Sequence, residues 1–240
     1  MLIENTLFGD WNVEQSISLI RENEPPEGYR VAFSGGKDSI VLLDLIRRAG
    51  VRYEAHTSLT GLEPPELVQF IEENYGGSVT IHRPPMDAFA LIRRHLFPFT
   101  RRYRPNYSLR RSKVSAFDTR KPPRRQESAA RRTRQLREVR FGDEFLNPLL
   151  YWSEKDIWQY IRNHNLPYCH LYDEGFRRLG CVLCPYQSKA ERELHLQRYP
   201  EIAAKFKETF DWIVAERRRR GKPFKNFETG EDLWHWWIAR

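Results

Sequence analysis

The stretch Ser34-Gly35-Gly36-Lys37-Asp38-Ser39 constrains this chain more than any other. It falls between a short apolar strand, Tyr29 to Phe33, and an amphipathic helical pattern from Ile40 to Arg48. A glycine pair at a strand-to-helix junction lets the backbone turn sharply and present N–H groups to an anion, while the helix points its positive end at the same place. Lys37 adds a mobile cation, and Ser34 and Ser39 add hydroxyls. The pattern reads as a phosphate-binding loop. It is not the G-x-x-x-x-G-K-[ST] loop of nucleotide triphosphatases, because one residue separates the glycines from the strand and an aspartate follows the lysine. The Asp38 carboxylate would repel phosphate unless it held a Mg2+ ion bridging the phosphate oxygens. The plain alternative is a turn that caps a helix through Ser39 or Asp38.

Around the loop the pattern alternates between periods of two and of 3.6, which argues for a parallel sheet with crossover helices. The spacing predicts helices over 12–21, 40–48 and 64–75 and strands over 29–33, 51–57 and 78–82. Regularity is lost from Pro84 to Pro123, apart from a helix over 88–96. Helices return at 153–164, with Ser153 as N-cap and Asp156 in the box position, and at 187–198 and 200–220. The fold class expected is α/β, an open, mostly parallel, doubly wound sheet with a mainly helical C-terminal extension. Residues 1–165 form the expected nucleotide-binding domain, including an irregular arginine-rich segment at 97–140. Residues 166–240 carry the cysteines and the helical extension.

Ligands of such sheets sit at the carboxyl ends of strands near a switch in strand order, where both the Ser34 loop and the turn before Glu63 fall. The chain has 240 residues and a formal charge of +8, with its arginines concentrated between Arg93 and Arg140. Three uses of that segment stay open: gripping a nucleotide or small acidic substrate, binding a nucleic-acid backbone, or forming a solvated face. The run Arg217 to Arg220 ends a helix, where cations complement the dipole. Trp234-His235-Trp236-Trp237 either docks the terminal segment or stacks on a partner. No apolar run approaches the about 18 residues that span a membrane, and the first residues lack a signal-peptide pattern, so a cytoplasmic protein without a membrane partner is expected. Cys169, Cys181 and Cys184 are the three cysteines, an odd, clustered set that fits a metal site better than disulfides. Zinc with His170 as fourth ligand, a redox dithiol at Cys181-x-x-Cys184, and metal-free structural cysteines stay open as well.

Several blocks occur together with the loop: Thr60-Gly61-Leu62-Glu63-Pro64-Pro65-Glu66, the arginine block Arg124 to Arg132, Asn147-Pro148-Leu149 with Trp152, and Leu166-Pro167-Tyr168 through Gly180-Cys181-Val182-Leu183-Cys184-Pro185. On these blocks the chain resembles the phosphoadenosine phosphosulfate reductase-like family of the ATP pyrophosphatase superfamily, with its adenine nucleotide α-hydrolase-like fold. The resemblance implies that Ser34, Gly35, Gly36, Lys37, Asp38 and Ser39 hold the pyrophosphate of ATP, and that Thr60, Gly61 and Glu63 line the nucleotide site. Arg124, Glu127, Ser128 and Arg131 fit the family pattern G-x-R-x-x-E-S-x-x-R, with Pro122 standing where glycine is usual. Arginine suits that role because its planar fork holds phosphate or sulfate bidentately.

The same resemblance implies an enzyme that cleaves ATP between its α- and β-phosphates in sulfur metabolism, with Lys37, Asp38, Arg124 and Arg131 as catalytic residues, ATP and Mg2+ as cofactors, and a sulfur donor protein as partner. It also implies a [4Fe–4S] cluster on Cys169, Cys181 and Cys184, although the R-W-C-C-like element of relatives is replaced by Tyr107 to Phe117, which has no cysteine. Two alternatives accompany it. One is a reductase of adenylyl sulfate or its 3′-phosphorylated form, against which stands the lack of an E-C-G-x-H-like motif after Cys184. The other is a nucleic-acid-binding pyrophosphatase subunit of a DNA or RNA sulfur-modification system, engaging the polymer through the arginine-rich segment.

Overall fold

The computed structural model describes residues 13–98, 137–140, 143–185 and 187–239, and the backbone of 114–115. They fall into two compact units. The first is drawn from residues 1–57, 69–82 and 108–170, the second from 58–68, 83–107 and 171–240. The C-terminal unit thus takes in two earlier segments as well as the tail.

The first unit is built on a six-stranded sheet. Its strands are β1 (Tyr29–Ala32), β2 (Tyr53–Ser58), β3 (Thr80–His82), β4 (Val114–Ser115), β5 (Arg137–Arg140) and β6 (Asp143–Leu146). Their order is β3-β2-β1-β4-β6-β5. β1 pairs in parallel with β2 and β4, and β4 with β6. The edge pair β5 and β6 runs antiparallel, with Arg137 opposite Leu146. The chain steps outward from β1 through β2 to β3, then returns to the other side of β1. The switch in strand order therefore lies between β1 and β4. This is the open, mostly parallel α/β fold expected; β4, β5 and β6 are additions to the three strands read from the sequence.

Helices α1 (Val13–Glu22), α2 (Lys37–Ala49) and α5 (Glu154–Asn163) pack together in this unit. In α2, Ile40, Val41, Leu42, Leu43, Leu45 and Ile46 are each at most 1% exposed. Arg47 and Arg48 are exposed, so the helix is amphipathic as expected, and each such buried apolar side chain stabilises the fold by about 1.5–3 kcal/mol relative to exposure. Trp152 is buried and donates its indole N–H to Ser16 Oγ at 3.0 Å, while the Ser16 hydroxyl donates to the Pro148 carbonyl at 3.0 Å. The Asn147 to Trp152 block thus anchors α1.

The second unit is mainly helical: α4 (Ala88–His95), α6 (Lys189–Arg198), α7 (Pro200–Arg219) and α8 (Gly230–Ile238), with the first turn of α3 (Pro65–Tyr75). Phe206, Phe210, Ile213 and Val214 of α7 are buried with Leu233, Trp234 and Trp237 of α8. The tryptophan cluster therefore docks the C-terminal segment, with Trp237 5.6 Å from Phe206 and 5.9 Å from Phe210 between ring centroids. The Arg217 to Arg220 run is structural. The Arg217 guanidinium lies 4.3 Å from the Phe224 ring centroid, Arg218 donates to the Glu228 carbonyl at 2.6 Å, and Arg219 and Arg220 both reach Glu216 at 2.7 Å. No helix among the described residues is long and apolar enough to cross a membrane.

Candidate functional site

The loop leaves the sheet at the carboxyl end of β1, beside the switch in strand order. Gly35 takes φ +71°, a left-handed conformation that glycine adopts without a steric cost. The Ser39 hydroxyl donates to the Gly36 carbonyl at 2.8 Å and accepts the Ser34 N–H at 3.2 Å, and the Gly36 N–H donates to Ser34 Oγ at 3.3 Å. The two serines therefore brace the loop from within. α2 starts at Lys37, three residues earlier than expected, with Gly36 as an N-cap that supplies no side-chain bond. Neither Ser39 nor Asp38 caps the helix, because both lie inside its first turn. Asp38 is half-exposed there.

Lys37 points inward and is 2% exposed. Its Nζ lies 3.4 Å from Oε1 of Glu154, a half-exposed residue in the first turn of α5. A buried ammonium needs such a partner, since an isolated charge is costly to remove from water. The start of α5 is fixed by the expected capping box of Ser153 and Asp156. Its far end is bolted to α2. Tyr160 donates to Asp44 at 2.6 Å and accepts from Arg48 at 2.7 Å, and Arg48 also lies 3.1 Å from His164 Nε2. Burial, with the Asp44 carboxylate beside it, pushes the Tyr160 phenol well above its ordinary range, so it stays a donor. Glu154 escaped the sequence reading because its only local signal is an acid in the first turn of a helix.

In the second unit, the Thr60 to Glu63 turn closes on itself. Glu63 accepts the Thr60 N–H at 2.9 Å on both carboxylate oxygens, the Thr60 hydroxyl at 2.8 Å and the Gly61 N–H at 3.0 Å. Gly61 at φ +83° makes this possible. The turn is stitched to the cysteine turn: Val182 N–H donates to the Leu62 carbonyl at 2.6 Å, and the Thr60 hydroxyl lies 3.3 Å from Cys181 Sγ. The two blocks that looked separate in sequence are one local structure.

His195 of α6, which no sequence pattern singled out, holds that structure from the other side. It is 1% exposed, its Nδ1 accepts the Leu183 N–H at 3.0 Å, and Gln187 Nε2 lies 3.2 Å from its Nε2 while also donating to the Cys181 carbonyl at 3.2 Å. Leu183 sits at φ +55°, and its carbonyl accepts the Trp237 indole N–H at 2.9 Å. Burial holds the His195 imidazole below its ordinary pKa, with Glu191 opposing, and so keeps it neutral.

Cys169, Cys181 and Cys184 are the ligands expected for a cluster or zinc ion. Among the described residues, no group of three or more His, Cys, Asp or Glu side chains is placed to hold a metal ion. Burial pushes the Cys181 thiol up to about 11, against a smaller lowering by the Thr60 bond. Cys169 is 1% exposed within the first unit. Arg124, Glu127, Ser128 and Arg131, and most of the arginine-rich segment with them, lie outside the described residues.

A glycine turn between β1 and α2, at the switch point of a mostly parallel sheet, defines an open α/β protein. A family model described as the phosphoadenosine phosphosulfate reductase domain matches residues 28–187, two thirds of the chain, and the chain belongs to this family. It is 31% identical over 169 residues to the adenosine 5′-phosphosulfate reductase of Allochromatium vinosum, a match covering 64% of this chain and 66% of that one. An uncharacterised protein of Methanocaldococcus jannaschii is 27% identical over 227 residues, covering 86% of this chain and 45% of its own. The chain thus spans less than two thirds of the length of both. The solved phosphoadenylyl-sulfate reductase of Candida auris overlaps at a TM-score of 0.46 and 16% identity, covering 70% of this chain and 88% of that one, a likeness too slight to carry weight.

Proposed function

We propose that this chain is an enzyme of sulfur metabolism that binds ATP through the Ser34 to Ser39 loop and cleaves it between the α- and β-phosphates. The acceptor forms a bond to the α-phosphorus, the bond from that phosphorus to the bridging oxygen breaks, and pyrophosphate leaves with the electron pair. The observation that carries the reading is the buried Lys37 at the start of α2, directly after β1 at the switch in strand order. Lys37 and the loop N–H groups hold the leaving pyrophosphate, stabilising the charge that develops on it. Asp38, half-exposed in the same turn, fits the single carboxylate with which a protein typically holds a phosphate-bound Mg2+, an ion that would neutralise phosphate charge there. Arg124 and Arg131 are proposed to grip the α-phosphate or the acceptor, with Glu127 and Ser128 beside them. An anionic acceptor would need no general base.

A second reading, reduction of adenylyl sulfate, is favoured by the name of the Allochromatium vinosum relative. Adenylyl sulfate carries a sulfate where ATP carries pyrophosphate, so the same loop would serve. Against it stands the Cys181 thiol, buried and held at about 11, which is a poor nucleophile at neutral pH.

Two assays on one preparation separate the readings. Pyrophosphate release from ATP and Mg2+ supports the first; sulfite release from adenylyl sulfate with a dithiol reductant, without pyrophosphate release from ATP, replaces it with the second.

A further inference from the structure

Lys37 and Glu154 form an unequal pair. The lysine side chain is 2% exposed and the glutamate 51%. Their separation of 3.4 Å exceeds the about 2.7–2.9 Å of a tight charge-assisted hydrogen bond. The ammonium is buried, whereas the carboxylate stands half in solvent. Glu154 is therefore the exchangeable member.

We propose that Glu154 stands in for the phosphate of the ligand: it neutralises Lys37 in the empty loop and yields the ammonium when a phosphate enters. The inference rests on the phosphate-loop reading above. The capping box at Ser153 and Asp156, and the Asp44, Tyr160 and Arg48 contacts that bolt α5 to α2, keep the glutamate backbone in place. Exchange then needs a side-chain rotation and no helix movement.

Such a stand-in also selects. Every incoming oxyanion must compete with a carboxylate already at the lysine, and one with few charges competes poorly. A polyphosphate offers several charged oxygens to Lys37 and the loop N–H groups together, and so displaces Glu154 where a lone sulfate does not. Glu154 is on this account a specificity-determining residue, acting by disfavouring the wrong anion as much as by admitting the right one.

The test is calorimetric binding of inorganic pyrophosphate and of sulfate to the full chain, as wild type, Glu154→Gln, Glu154→Ser, Lys37→Met and the Lys37→Met/Glu154→Gln double variant, with thermal melts confirming that each is folded. Both Glu154 variants are expected to tighten pyrophosphate by on the order of fivefold, with sulfate gaining at least as much, and the gain should vanish in the Lys37→Met background. A merely structural glutamate would weaken binding or leave it alone, and its effect would not depend on Lys37. Unchanged or weaker binding in the Glu154 variants, or a gain that survives without Lys37, overturns the proposal. Where wild type binds pyrophosphate and Glu154→Gln binds no better, this inference alone falls. Where neither binds it, the phosphate-loop reading falls and takes the inference with it.

Discussion

The Leu183 N–H donates to Nδ1 of His195 at 3.0 Å, in a place where the imidazole is 1% exposed. This bond holds the middle of the Cys181 to Cys184 turn in a left-handed conformation that leucine rarely adopts. The imidazole must be neutral to accept it.

Acid should therefore loosen the fold through His195. Its folded-state pKa is lowered from 6.5 by burial, so the unfolded chain takes up the proton first. The stability it contributes is fully present above 6.5 and is lost as the pH falls below that value. His56 is lowered too, and adds to the slope with the same sign. In urea melts from pH 8 to pH 5, wild type should lose stability below about pH 6.5, and a His195→Gln variant should show a shallower decline. His195→Ala should cost about 1–3 kcal/mol at pH 8 from the unpaired Leu183 N–H alone. Equal slopes in wild type and variant would remove His195 from the account.

Glu63 should matter to stability before it matters to chemistry. Its carboxylate satisfies two backbone N–H groups and the Thr60 hydroxyl. Glu63→Ala should cost about 1–3 kcal/mol in urea unfolding, and Glu63→Gln less, because the amide oxygen still accepts.

The Cys181 thiol should be slow to alkylate. A shift from 9.0 to about 11 lowers the thiolate fraction on the order of a hundredfold at neutral pH. Iodoacetamide labelling followed by mass spectrometry should find native Cys181 modified at least that much more slowly than the same cysteine in urea. Comparable rates would mean that the thiol is neither buried nor neutral.

Much of this was legible in the sequence. The strand, loop and helix around Ser34, the capping boxes at Ser153 and the docking tryptophans follow from local patterns, because short-range sterics and hydrogen bonds set them. The edge pair β5 and β6 was not legible: strands of four residues, rich in charge, leave no alternation to read. Three of the four residues that most define the sites now, Glu154, His195 and Thr60 as a neighbour of Cys181, act through contacts between distant segments, and spacing along the chain says nothing of those. Lys37 was legible as a cation of the loop, but its burial was not. The burial of Cys181 was not legible either, since C-x-x-C carries no information on the side chains that bury it.

The central claim is that Lys37 holds the pyrophosphate of ATP. Replacing it with methionine keeps the volume and removes a buried charge, so the fold should melt within a few degrees of wild type. The most direct measurement is pyrophosphate release from ATP and Mg2+ by wild type and Lys37→Met at matched concentration. The account predicts release by wild type and a fall on the order of a hundredfold or more in the folded variant. Equal release by the two proteins, or none from wild type, would contradict it.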